Sequence, residues 1–183
     1  MCGKYYYDST TFQFSENDDE KTDLNPAQEI PVYIMQNGKI ILTKLNWGYS
    51  STKGTEKIVN AKSETLEERK TFRDDFKERR CVIGAKGFYQ KDAAGHQIAF
   101  ESTKNETLYM LGIYRHTEKE VVIITTKPNA VMKPVHNRMP LIIPKAMVRS
   151  WLSDINQARK ILQYQNEDIK IVTGHLQQSL FED

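Results

Sequence analysis

The chain has 183 residues, 39% hydrophobic and 27% charged, with 26 basic and 24 acidic side chains. That length and balance suit one soluble globular domain with its own core. No apolar run approaches the ~20 residues of a membrane span, and the N-terminus lacks the charged-then-apolar pattern of a secretory signal. Two cysteines, Cys2 and Cys81, suggest neither a disulfide framework nor a zinc site. These features predict a single domain over residues 1–183, free thiols and a cytoplasmic location, with no membrane, metal or cofactor.

The net charge of +2 is unevenly spread: residues 1–30 carry −5, residues 161–183 carry −3, and residues 31–160 carry +10. A basic middle suits a face for polyanions, and it equally suits a solvated lysine-rich surface. In chain order, Ser15 to Asn25 reads as a polar, acidic loop. The segment EIPVYIMQNGKIILTKLNW reads as a β-hairpin, because two β-branched runs flank Asn37-Gly38. Residues 50–57 read as a polar loop. From Glu64 to Arg79 the spacing predicts a helix with Leu66, Phe72 and Phe76 on one face, and Thr65 with Glu68 as a capping box. Short strands follow near 81–84, 97–101, 108–114 and 120–125. EVVIITT is the most apolar of them and is expected at the centre. Pro144 opens a long C-terminal helix carrying Met147, Trp151, Ile155, Ala158 and Leu162, and IKIV gives a last strand. The predicted fold is α+β: a curved, mostly antiparallel, barrel-like sheet flanked by helices.

Cys2, followed by Gly3, is the chemically distinctive position. Removal of Met1 leaves an α-amine and a thiol on adjacent carbons. The amine titrates near ~7.7–8.0, against ~10.4 for lysine, so much more of it is neutral at pH 7. Such an amine forms a Schiff base with an aldehyde, and the thiol then closes a thiazolidine ring.

Four separated segments accompany it: MCG at the start, NAKSET at 60–65, RRCVIGAKGFYQK at 79–91 and ITTKPNAVMKPVHNRMPLII at 124–143, with IPV at 30–32 and WG at 47–48. In this order they resemble the SRAP (SOS response-associated peptidase) family across essentially the whole chain. The resemblance implies a compact α+β domain that captures abasic sites in single-stranded DNA through Cys2. It implies that Asn60 positions the terminus or the opened sugar, and that His136 shuttles protons. It also implies that Lys62, Arg79, Arg80 and Arg138 grip phosphates, and that an aromatic at or near Trp47 stacks on a base. The implied partner is single-stranded DNA carrying abasic sites, bound by a monomer. Taken singly, each residue has a plainer reading: Asn60 as a helix cap, His136 as a half-buried imidazole, Arg138 paired with a carboxylate, Trp47 in the core.

The chain departs from the family pattern where a glutamate is usual, at Gln90, which keeps the size and hydrogen-bonding reach but exchanges no proton. Lys91 replaces a usual tryptophan, Lys62 a usual arginine and Gly84 a usual proline. Three outcomes stay open: slower crosslinking with His136 and water moving protons, a substitute carboxylate such as Glu101, or DNA binding without chemistry. A different class, an N-terminal-nucleophile amidohydrolase or peptidase using the Cys2 thiol, predicts a four-layer sandwich instead.

Overall fold

The Asn37-Gly38 pair does turn the chain back on itself. Both residues take positive φ, 51° and 74°, as a two-residue hairpin turn requires. The computed structural model describes residues 3–12, 21–51 and 54–172. In chain order the strands before the first α-helix are β1 (Tyr5–Tyr7), β2 (Thr22–Leu24), β3 (Glu29–Gln36), β4 (Lys39–Trp47) and β5 (Asn60–Lys62). Helix α1 (Lys70–Glu78) leads into β6 (Arg80–Ala85), β7 (Gly87–Lys91), β8 (Gln97–Ser102), β9 (Leu108–Arg115) and β10 (Glu120–Thr126). The chain continues through β11 (Met139–Pro140), β12 (Ile142–Ile143), α2 (Val148–Ser153), α3 (Ile155–Ile161) and β13 (Ile169–Ile171).

Strands β10, β4, β3, β6 and β9 pair in that order, and β9 pairs back with β10, closing a five-stranded barrel. Every pairing is antiparallel except those of β4 and β5 with β10. The EVVIITT strand is central, with partners on both edges. A second sheet, ordered β13-β8-β7-β1-β2, continues from the barrel through the short step from β6 to β7. The curved α+β sheet expected from the sequence is therefore present, and the four-layer sandwich is not what the described residues form.

Two apolar clusters hold these layers. One packs Trp47, Phe88, Phe100, Met110 and Met139 between the barrel and the second sheet. The other packs Leu66, Phe72, Phe76 and Trp151 between the barrel and the helices. Gly87 is required by close approach: a Cβ there would lie 2.3 Å from the Tyr6 hydroxyl and 2.6 Å from the Phe100 carbonyl oxygen.

Two helices differ from expectation. The segment from Glu64 begins as a 3-10 turn over Ser63–Thr65, and α1 starts only at Lys70, so Thr65 and Glu68 form no capping box. The long C-terminal helix is two helices. At Asp154 the backbone is extended, and its carboxylate accepts from the amides of Asn156 and Gln157 as the N-cap of α3; aspartate favours that place over a helix interior.

Candidate active site

The site is assembled at the end of the first apolar cluster, where β7 meets the loop between β10 and β11. Side chains alternate along a strand, so Phe88 and Gln90 share one face of β7 and Tyr89 lies on the other. Phe88 is in the core, and Gln90 is buried with it at 3% exposure. Across the ladder Gln90 faces Ile98, and Lys91 faces Gln97.

His136 arrives from the other side on a turn held by a buried asparagine. The Asn129 side chain donates to the Asn166 carbonyl at 2.8 Å and accepts from the Met132 amide at 2.9 Å. The turn then closes through the His136 amide to the Met132 carbonyl. The His136 ring packs its Nδ1 3.0 Å from the Arg138 amide and 3.1 Å from the Arg138 carbonyl oxygen. A neutral ring accepts from the first, and a protonated ring donates to the second, so both charge states have a backbone partner. Burial lowers its pKa, which favours the neutral ring at pH 7.

Gly3, Tyr89, Gln90, Lys91, Gln97 and His136 line one cavity of about 240 Å³. Cys2 itself lies outside the described residues, but its neighbour Gly3 lines this space with two of the family-implied residues. Sequence reasoning gave Lys91 no role beyond a lost tryptophan, and Gln97 none at all. The signal for both was the strand register, which places them opposite each other beside Gln90. Lys91 is exposed and adds positive charge at the cavity wall.

Asn60 does not line that cavity. It sits on β5 opposite Ile123, with its amide nitrogen 3.5 Å from the Ile123 carbonyl. It is a strand residue, not the helix cap that its place in the sequence suggested. Its buried Oδ1 has no hydrogen-bond partner among the described residues, a costly state for a buried acceptor.

The five residues expected to contact DNA need correction. Trp47 is fully buried, donates its indole N–H to the Val59 carbonyl at 3.0 Å and packs on Tyr5, so it presents no stacking face. Arg80 is also buried, and its guanidinium donates to the carbonyls of Trp151, Phe76, Lys77 and Leu152. It ties β6 to the ends of α1 and α2, and its hydrogens are directed at those carbonyls instead of at a phosphate. Arg79 pairs with Asp75 at 2.7 Å and Glu78 at 2.8 Å. Arg138 makes a fork to both Glu64 oxygens, at 2.7 and 2.9 Å, and donates to the Thr125 carbonyl. This clamp joins the NAKSET and HNRMP segments across β10. The Arg138 hydrogen bonds hold the Glu64 carboxyl down at about 2. Lys62 alone of the five is exposed with no ion pair among the described residues.

Glu101 cannot stand in for a carboxylate at position 90. It pairs with Gly87, on the face of Tyr89, and accepts from the Tyr6 hydroxyl at 2.6 Å. Cys81 is fully buried on β6, and burial pushes its thiol well above the ordinary range.

The arrangement offers a small cavity, one imidazole able to hold or release a proton, the Gln90 amide and a cation at the wall. Among the described residues, no helix is long and apolar enough to cross a membrane.

Comparison with known proteins agrees with the motif order. A family model described as SOS response associated peptidase (SRAP) matches residues 1–174. The abasic site processing protein YoqW of Bacillus subtilis (strain 168) is 30% identical over 154 residues, covering 75% of this chain and 69% of that protein. The abasic site processing protein YobE of the same organism is 28% identical over 199 residues, covering 89% and 87%. Among solved structures, a phage-related protein from Bordetella bronchiseptica has a TM-score of 0.75 at 18% identity, covering 93% of both chains. A protein from Bacteroides thetaiotaomicron gives 0.74 at 19% identity, covering 93% and 90%. These two likenesses concern the fold.

Proposed function

Because the chain belongs to the SOS response associated peptidase family, we propose that it processes abasic sites in DNA and traps them in single strands as a thiazolidine at Cys2. The observation that carries this reading is the cavity that unites Gly3, Gln90 and His136. With Met1 removed, the Cys2 amine attacks the C1′ aldehyde of the ring-opened sugar, and the carbinolamine loses water to give an imine. The Cys2 sulfur then adds to the imine carbon, and the nitrogen takes up the proton. The net change is one C–N bond and one C–S bond formed and one water released.

His136 moves protons in the dehydration and ring-closing steps. The Asn60 Oδ1, an acceptor without a donor among the described residues, is suited to an N–H of the terminus. Lys91 and Lys62 supply charge for phosphates, giving affinity that falls with salt.

The test is a denaturing gel with single-stranded DNA containing one abasic site, using protein whose intact mass shows Met1 removed. A covalent band is expected for the natural sequence and for Cys81→Ala, and none for Cys2→Ala. Retention on native gels without a covalent band supports the second reading, a non-catalytic strand binder. That reading draws on the buried amide of Gln90, which holds no exchangeable acid proton.

A further inference from the structure

A second cleft, of about 470 Å³, shares no lining residue with the cavity above. Its floor is one face of the barrel. Tyr33 on β3 pairs with Val82 on β6, and Gly84, two residues further, pairs with Tyr109 on β9. Cross-strand partners and residues two apart share a face, so Tyr33 and Tyr109 stand on one face, on either side of Gly84, which is itself buried. This is the position where the family pattern has proline. A Cβ on Gly84 would meet Phe12 Cε1 at 3.2 Å and Thr11 Cγ2 at 3.5 Å. The glycine therefore lets the turn after β1 settle onto the barrel as one wall of the cleft. That turn is fixed by Asp8, whose Oδ1 accepts from the Thr10 amide at 3.0 Å and the Thr11 hydroxyl at 3.2 Å.

The opposite wall is the helical run after Pro144, with Lys145, Val148 and Arg149. Lys145 and Arg149 are four residues apart, which puts them on one side of a helical run. Both are exposed, neither has a carboxylate partner among the described residues, and no acidic residue among them lines the cleft. Thr10, Thr11, Thr107 and the exposed Ile40 complete the lining; the Thr10 and Thr11 hydroxyls donate to Asp8 Oδ1 and so face a ligand as acceptors.

We propose that this cleft binds a nucleotide, with the base on the Tyr33–Tyr109 face, its edge on the threonine hydroxyls and its phosphate on Lys145 and Arg149. Aromatic rings accept any base by stacking, and two unpaired cations supply the sequence-independent hold on phosphate. An acidic peptide would use the cations and leave the aromatic face and hydroxyls idle. A DNA strand and a free nucleotide present the same chemistry to the cleft. The inference does not rest on the abasic-site reading, and its test uses undamaged ligands that cannot react with Cys2.

The ¹⁵N-labelled protein is titrated with thymidine monophosphate and, separately, with a ten-residue thymidine oligonucleotide. Amide shifts are expected at Thr10, Tyr33, Tyr109 and Arg149. Shifts with the monophosphate identify a free nucleotide, and shifts with the oligonucleotide alone identify a strand. Because exposed side chains are changed, the double variant Lys145→Ala/Arg149→Ala keeps the fold. It is expected to weaken binding by about fivefold or more and to reduce the salt slope by about 1 for each phosphate no longer neutralised. Absence of shifts at these amides with both probes, or unchanged affinity in the double variant, overturns the proposal.

Discussion

Gln90 is held on the core-facing side of β7, opposite Ile98. A carboxyl group in the same place would be desolvated, which raises its pKa toward neutrality, where proton exchange is most effective. Gln90→Glu is therefore expected to speed formation or reversal of the covalent adduct by about tenfold or more, against the ~10²–10⁴ that a positioned acid/base group typically contributes. Quenched time courses on denaturing gels measure it, and an unchanged rate removes position 90 as a proton carrier. His136 gives a separate signature in pH. The terminal amine must be neutral to attack, so the rate drops on the acid side of ~7.7–8.0. A second drop follows when His136 protonates, and burial places it below the ordinary imidazole value of ~6.5. In His136→Gln the second drop is expected to vanish and the rate at pH 7 to fall about a hundredfold. A profile that keeps the lower limb in that variant assigns the limb to another group.

Elements with a strong local signal were legible, and those defined by tertiary pairing were not. The Asn37-Gly38 hairpin and the central EVVIITT strand announce themselves through turn chemistry and apolar runs. β1, β2 and β5 have three residues each and are strands only because a partner ladder receives them. The apolar spacing from Met147 to Leu162 runs through the break at Asp154, because both helices present one side to the same core. Motif order singled out His136 and Gln90, two residues that the fold brings to one cavity, but residue type misplaced Trp47 and Arg80, since neither indole nor guanidinium declares whether its partner is a nucleic acid or a backbone carbonyl. Asn129 was passed over for the same reason: its role is visible only in the turn it holds. At 3% exposure, with one bond donated and one accepted, it fixes the loop that carries His136. Asn129→Ala leaves a buried amide and a buried carbonyl unpaired, and is expected to cost about 1–3 kcal/mol in denaturant unfolding. It should also slow adduct formation in conditions where the variant stays folded. Full reactivity there would show that the loop holds its shape without this side chain.

Over the whole molecule, the excess of +10 counted for residues 31–160 overstates the charge available to DNA. Arg79, Arg80, Arg138, Arg115 and Lys57 are engaged inside the fold. Their carboxylate partners set the response to acid. Glu64 is held at about 2 by the Arg138 fork, against an ordinary 4.5. Glu120 is opposed by its own burial, yet Ser50 and Lys57 hold its pKa below the ordinary value. A carboxylate whose pKa is depressed on folding adds stability that is complete above its unfolded value and disappears as pH falls through its folded value. The melting temperature is thus expected to slip as pH falls below the ordinary imidazole value of 6.5, where the unfolded chain takes up the proton that burial keeps off His136, and to decline further from about pH 4.5 toward pH 2 as the held carboxylates protonate. Glu64→Gln should melt lower at pH 7, because Arg138 loses its charged partner while still tied to the Thr125 carbonyl. The gap from the natural sequence should narrow through that window and close near pH 2, where Glu64 is itself half protonated or more. Calorimetry of the two proteins across pH 2–7 reads this directly, and a gap of constant size would mean that the clamp across β10 acts through shape and not through charge.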